Sequence, residues 1–194
     1  MNTCLYNSPI GILKISENNG EITHLCLHQE ENVPIYTGSL PQKQPGRQDQ
    51  HNQQDDQSIQ RLHDHERHSL GQKSELLIVA CRQLEEYFQG KRKNYDLPIS
   101  YAGTPFQERV WRELQNIPYG ETRSYEDIAV QIGSPKAVRA VGQANNRNPI
   151  LLIIPCHRVI HKNGDISGFA CGIEAKKYLL DLEKDYFSQN NFFK

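Results

Sequence analysis

The sequence predicts an α+β fold: a small N-terminal sheet-plus-helix domain, then a mostly helical C-terminal domain with a winged-helix-like helix-turn-helix. Three observations predict it. Two apolar-alternating segments flank an Asn18-Asn19-Gly20 turn. Apolar residues recur at helical spacing after Ser74. Two short helical segments meet at Gly133-Ser134. The expected division is 1–100 and 101–194 of the 194 residues. Such a length buries a core without disulfide staples.

The first element is a β-hairpin, Gly11–Ser16 against Ile22–His28, because Asn-Gly tolerates the positive φ values of a tight turn. From about 41 to 74 the pattern breaks. Between Pro41 and Glu75 stand nine Gln, four of the eight His and only three large aliphatics, Ile59, Leu62 and Leu70. A stretch so poor in apolar surface cannot offset its ordering entropy, so it reads as a solvated, disordered-like insertion. Its run from His63 to His68 offers metal-binding side chains but reads first as a polar loop. A helix then opens at Ser74-Glu75 with Leu77, Cys81, Leu84 and Phe88 on one face and Gly90 as its C-terminal stop. Cys81 on that face reads as a core thiol. Asp96–Ser100 suggests a short edge strand, since Pro98 cannot donate to a ladder. Nothing in this part looks chemical.

Beyond Thr104, Phe106, Val110, Trp111 and Leu114 mark an amphipathic helix ending before Pro118-Tyr119-Gly120. Tyr125–Ile132 reads as a short helix stopped by Gly133. Ser134 as N-cap and Pro135 as first residue open a third helix, Lys136 to about Ala144.

Charge and cysteine usage narrow the function. Twenty-two cations against 23 acids leave a net charge of −1, which excludes a chain-wide basic field; a nucleic-acid contact needs a local patch. Such a patch exists: Lys136, Arg139, Arg147, Arg158 and Lys162 lie between Ile128 and Gly164 with no acid among them. Five scattered cysteines argue for reduced thiols in a cytoplasmic setting, nuclear in a eukaryote. The start lacks the basic-then-apolar pattern of a secretory signal, and no apolar stretch approaches the roughly 18–20 residues of a membrane helix.

The apolar run Ile150–Ile154, a buried strand or core segment, stops at Pro155-Cys156-His157-Arg158-Val159-Ile160. A cysteine at the end of a buried segment, beside a histidine and an arginine, stands where a thiolate is stabilised and aimed into a cleft. The flanking residues make little sense for packing alone, so Cys156 reads as a nucleophile.

The C-terminal part resembles the 6-O-alkylguanine-DNA alkyltransferases, also called methylated-DNA–protein-cysteine methyltransferases. The resemblance rests on Ser134–Gly142, Arg147-Asn148-Pro149, Ile154–Ile160, Ser167-Gly168-Phe169 and Lys176–Glu183. It runs from about Thr104 to Glu183 without a gap, and extends more loosely through Asn7–Gly11 and the hairpin.

The resemblance implies irreversible, single-turnover transfer of an alkyl group from guanine O6 in DNA to the protein's own cysteine; it leaves open whether alkylated thymine is also taken. It implies Cys156 as acceptor, His157 as its base through a water, and Glu183 as the group that orients and charges the histidine. Displacement at saturated carbon needs a strong nucleophile, and a thiolate is the strongest that proteins offer. By the same resemblance, the base flips out of the duplex and Arg139 fills the vacated stack from the minor groove. Tyr125 lies near the target phosphate and gives a proton to the leaving base. Asn148 braces the cysteine turn. Ser134, Lys136 and Arg147 join Arg139 and Tyr125 at the DNA, and Val159, Phe169, Ala170 and Arg158 line the base pocket. Ala170 stands where some relatives have serine, its N–H still able to bond the guanine oxygen.

No cofactor is expected. The expected partner is duplex DNA carrying alkylated guanine, with no membrane, no obligate protein partner and a monomeric chain. Some relatives hold a structural zinc with two Cys and two His; here only Cys4 stands near such a position, so no metal is expected. Two rival readings lose on particular residues. A DNA-binding module of this fold without chemistry would replace the cysteine, yet Cys156 is present. A zinc nucleobase deaminase shares Pro155-Cys156 and a distant His28-Gln29-Glu30, but no second cysteine follows at Cys-x-x-Cys spacing.

Overall fold

The computed structural model describes residues 1–28, 74–166 and 168–190, with side chains through 184. The Gln/His-rich segment and its His63–His68 run lie outside the described residues, as does Ser167. The class is α+β. Strands β1 (Asn2–Ser8), β2 (Gly11–Asn18) and β3 (Glu21–Leu27) form an antiparallel sheet in that order. The β2–β3 turn is the expected one: Asn19 and Gly20 both have positive φ, 52° and 80°, as a two-residue hairpin requires. Strand β1, absent from the sequence reading, pairs with β2 along its whole length, Asn2 opposite Glu17 through Ser8 opposite Gly11.

Helix α1 (Glu75–Phe88) is capped by the Ser74 side chain, which accepts from the Leu77 N–H. Its buried residues are Leu77, Ala80, Gln83, Leu84 and Tyr87. Cys81 is half-buried, its Sγ 3.6 Å from that of Cys4. Among the described residues no group of three or more His, Cys, Asp or Glu is placed to share a metal ion. The expected edge strand at Asp96–Ser100 is only one bridge: Ile22 N–H donates to Pro98 and Ser100 N–H to Ile22.

Helix α2 (Pro105–Leu114) starts with a full capping box of Thr104 and Gln107. A two-residue strand β4 (Arg123–Ser124) leads into α3 (Tyr125–Gln131), again capping-boxed by Ser124 and Asp127. Gly133 (φ 70°) ends that helix. The next helix departs from expectation. Ser134 to Ala137 forms a separate tight turn, with Ala137 N–H on the Ser134 carbonyl at 2.8 Å. Helix α4 (Val138–Asn146) therefore begins after Ala137 with no side-chain cap, and Ser134 is not its N-cap. The α3–turn–α4 unit packs on α2 through Trp111, whose indole N–H reaches the Ala144 carbonyl at 2.8 Å.

Ile150–Ile154 is core, as its composition demands, but not a strand. Leu25 N–H bonds Pro149, Leu151 N–H bonds Leu25, and the chain then doubles back through Leu152 at φ 68°. The run thus docks one end on β3 and presents its other end as a turn. A single 3-10 turn (Cys156–Arg158) follows, then β5 (Val159–Ile160), parallel to β4. Helix α5 (Ile173–Asn190) closes the described chain. Among the described residues no helix is long and apolar enough to cross a membrane.

Candidate active site

The Cys156 turn is held by two asparagines. Asn148 donates its side-chain N–H to the Ile154 carbonyl at 2.7 Å and accepts from Ile150 N–H at 3.0 Å. Asn145, which sequence reasoning missed, donates to the Cys156 carbonyl at 3.2 Å. All three residues are buried. Side-chain amides do here what a regular ladder does elsewhere, satisfying backbone groups of an irregular buried turn.

Beneath the cysteine lies a closed polar network. Glu183, 1% exposed on α5, is its hub. Its Oε1 accepts from Tyr87 Oη at 2.8 Å, His157 Nε2 at 2.9 Å and Arg158 Nη2 at 3.0 Å. Its Oε2 accepts from Arg158 Nε and Gly120 N, both at 2.9 Å. Burial alone would raise the Glu183 carboxyl, but the His157 and Arg158 donors hold it well below the usual carboxylate range. Because that carboxylate is ionised, His157 carries its proton on Nε2, and Nδ1 is left with a lone pair. Nδ1 is buried with no protein partner. Burial, opposed by Glu183, keeps the imidazole below its ordinary pKa. That direction favours the neutral imidazole, the form a base requires.

The Cys156 sulfur is buried, and burial pushes its thiol up to about 11, with Asn148 and Lys176 pulling the other way. Arg158 does not steady a thiolate. Its guanidinium is spent on Glu183 and on the Ile117 carbonyl at 2.7 Å, and it faces a separate cavity of about 280 Å³ with Ile117, Pro118 and Pro155. It is thus neither part of the exposed basic patch nor a wall of the groove described next. The cation that acts on the sulfur is Lys176, fully buried on α5 and given no role in the sequence reading. Its Nζ donates to the Val159 carbonyl at 2.6 Å and lies 5.7 Å from the Tyr125 ring centroid. Burial lowers its pKa to about 8.

The outer face carries a groove of about 450 Å³ lined by Tyr125, Val138, Arg139, Gly142, Gln143, Asn146, His161 and Gly168. Tyr125 and Arg139 share one concave surface; Gln143 and Asn146, which the sequence reading did not name, lie one turn apart on α4. The Tyr125 and His161 rings are 5.4 Å apart. Burial, then the nearby Cys156, raises the Tyr125 hydroxyl pKa, so this phenol holds its proton. Phe169 is nearly closed to solvent with its ring edge-on to His157, centroids 6.5 Å apart. Val159 is buried and Ala170 exposed. Lys136, Arg139 and Arg147 are exposed and Ser134 half-exposed. Lys162 is paired with Glu126 at 2.7 Å, which lessens its part in the patch.

Two family models match in succession. Residues 1–101 fit the 6-O-methylguanine DNA methyltransferase ribonuclease-like domain, and residues 105–185 fit the DNA binding domain of the same proteins. The constitutive methylated-DNA–protein-cysteine methyltransferase of Bacillus subtilis is 43% identical over 178 residues, 91% of this chain and 92% of that one. The methylated-DNA–protein-cysteine methyltransferase of Methanosarcina barkeri is 58% identical over 106 residues, 55% of this chain and 67% of that one. The crystal structure of Mycobacterium tuberculosis OGT in complex with DNA superposes with a TM-score of 0.68 at 37% identity, covering 94% of this chain and 92% of that one.

Proposed function

This chain belongs to the 6-O-methylguanine DNA methyltransferase family, proteins that repair DNA by moving an alkyl group onto a cysteine of their own, and we propose that Cys156 is that cysteine. One observation carries the assignment. Cys156 sits in a pinned turn directly before a neutral histidine whose far nitrogen is locked to Glu183 at 2.9 Å. That is the nucleophile–base–orienter order of triad enzymes, built here for alkyl transfer.

The reaction then runs as follows. His157 Nδ1, directly or through one water, takes the thiol proton. The thiolate attacks the alkyl carbon in line, forming S–C as the C–O6 bond breaks and leaves its electron pair on the guanine. Tyr125 gives its proton to the leaving base and is reprotonated from His157, so the thiol proton ends on guanine. Lys176 offsets the thiolate charge as it forms in a dry site. The product is a thioether, which water does not cleave, so each chain acts once.

The groove is the proposed DNA face. Arg139 fills the stack that the flipped base leaves, Lys136, Arg147 and Ser134 contact phosphates, and Phe169, Val159 and the Ala170 N–H border the base. The partner proposed is duplex DNA carrying O6-alkylguanine, met by a single chain. The expected division at 100/101 assigns DNA contact to the second part. The test is incubation with a duplex containing one O6-methylguanine, then intact-mass measurement and peptide mapping. One methyl per chain on the Cys156 peptide is expected. A methyl on another residue, or none, overturns the assignment.

A further inference from the structure

We propose that Tyr87, on the sheet-packing helix α1, is a positioning residue for the transfer, its hydroxyl gripping the Glu183 oxygen that also takes the His157 N–H. The proposal rests on the reading of Cys156, His157 and Glu183 given above. Tyr87 is fully buried. Its Oη lies 2.8 Å from Glu183 Oε1 and 3.5 Å from His157 Nε2. The ring is wedged between Phe88 (5.4 Å), Tyr95 (5.6 Å) and Tyr119 (6.1 Å). The hydroxyl therefore has one position, and that position is on the carboxylate. It reaches there from an element that carries no other part of the site.

The groups facing this carboxylate are Tyr87 from α1, Tyr95 from the segment after it, Tyr119 and Gly120 from the turn before β4, and His157 and Arg158 from the 3-10 turn. Cys156 and Lys176 lie beyond the histidine. Burial and then Glu183 keep the Tyr87 hydroxyl protonated well beyond the ordinary tyrosine range, so it is a donor at every working pH. A donor on Oε1 withdraws negative charge from the oxygen that His157 leans on. Without it, the carboxylate would favour an imidazolium more strongly and the histidine would become a stronger base that charges at higher pH. Tyr87 thus sets where on the pH scale His157 is neutral and able to accept the thiol proton.

The experiment measures second-order transfer from an O6-methylguanine duplex to the full chain between pH 5 and 9. In Tyr87→Phe the ring packing is kept and one donor is lost. Its acid limb should move up by about one pH unit, the size of one hydrogen bond to a charged group, with the rate at pH 8.5 within about threefold of wild type. Site-specific 3-fluorotyrosine at position 87 keeps the hydroxyl but makes it a stronger donor, and should move the limb down. Tyr101→Phe is the control. Its hydroxyl accepts from the Gln115 side chain at 3.0 Å, outside the carboxylate network, and its profile should overlie that of wild type. An acid limb that stays in place in either Tyr87 variant, at any overall rate, overturns the proposal. Wild-type transfer to Cys156 in the same series separates that failure from failure of the underlying reading.

Discussion

His157 Nε2 and Glu183 Oε1 lie 2.9 Å apart with both side chains closed to solvent, so the base and its anchor form one buried unit with Arg158. Glu183→Gln keeps the shape and removes the charge. It leaves the Arg158 guanidinium buried without a counterion, a loss of about 3–5 kcal/mol by the usual cost of breaking a buried pair. Transfer should slow by about a hundredfold, the share of a general base. Urea unfolding and single-turnover kinetics measure the two effects; a variant as stable and as fast as wild type would refute the network's role.

The same carboxylate predicts the acid side of the stability curve. Its pKa is depressed on folding, so its contribution is complete above the ordinary carboxylate range. That contribution is lost as pH falls toward the depressed value, where the folded state must take up the proton. Between pH 6 and 3 the wild type should therefore lose more stability than Glu183→Gln, read by denaturant midpoints at each pH.

Much of this arrangement was legible beforehand, and the exceptions have physical reasons. Asn19-Gly20, the Ser74 cap and Gly133 act locally, so local pattern found them. Strand β1 escaped because its apolar residues do not follow its faces: Cys4, Leu5 and Tyr6 stand in a row, although Cys4 is buried and Leu5 is 40% exposed. On α1 the stripe was drawn through Leu77, Cys81, Leu84 and Phe88, whereas the buried one runs through Leu77, Ala80, Leu84 and Tyr87. Both fit a period of 3.6, and only tertiary packing chooses between them. That one-residue slip hid Tyr87, and with it the hydroxyl that the N-terminal part places on Glu183. Lys176 escaped for a related reason. A lysine on a helix reads as solvated, and nothing local reveals the Val159 carbonyl that receives it. Cys156 was read as a nucleophile from its own neighbours, and His157 and Glu183 were given roles only through the resemblance; the direction of each pKa shift depends on burial, which no local pattern reveals.

Those shifts are testable through the thiol. With Cys156 near 11 and His157 depressed, the resting pair is thiol and neutral imidazole at pH 7. The rate should fall only below the ordinary histidine range, as His157 becomes charged, and be nearly level from pH 7 to 8.5. A reaction limited by pre-formed thiolate would instead rise about tenfold per pH unit up to the thiol pKa. A slope near one across pH 7–8.5 would rule out concerted removal of the proton by His157.

Cys156→Ser should abolish methyl transfer and leave affinity for undamaged duplex within about twofold, because a hydroxyl is a poor nucleophile and the exposed cations are untouched. Cys171 will not substitute. It is half-buried, and burial with Cys156 nearby pushes its thiol up to about 12. Mass measurement decides it: a methyl on Cys171 in the variant would show that the site tolerates a second acceptor.

Arg139→Ala should slow repair in duplex DNA far more than transfer from free O6-methylguanine. Arg139 is exposed on α4 and shares the groove with Tyr125, whereas the buried Cys156 network has no contact that depends on it. Unstacking and unpairing a base costs a few kcal/mol. A side chain that occupies the gap offsets part of that cost, and only where a stack exists. A loss of about 2 kcal/mol of such support would slow the duplex reaction roughly thirtyfold while the free-base rate changes by less than about twofold. Lys136→Ala and Arg147→Ala should differ in kind. As phosphate contacts they should weaken damaged and undamaged duplexes alike and lower the salt slope by about one each. Lys162→Ala should do less, since Glu126 already holds that ammonium at 2.7 Å. Paired second-order rates for Arg139→Ala, duplex and free base, are decisive. Equal losses on both substrates would mean that Arg139 shapes the pocket or the fold, and its role in the vacated stack would have to be abandoned.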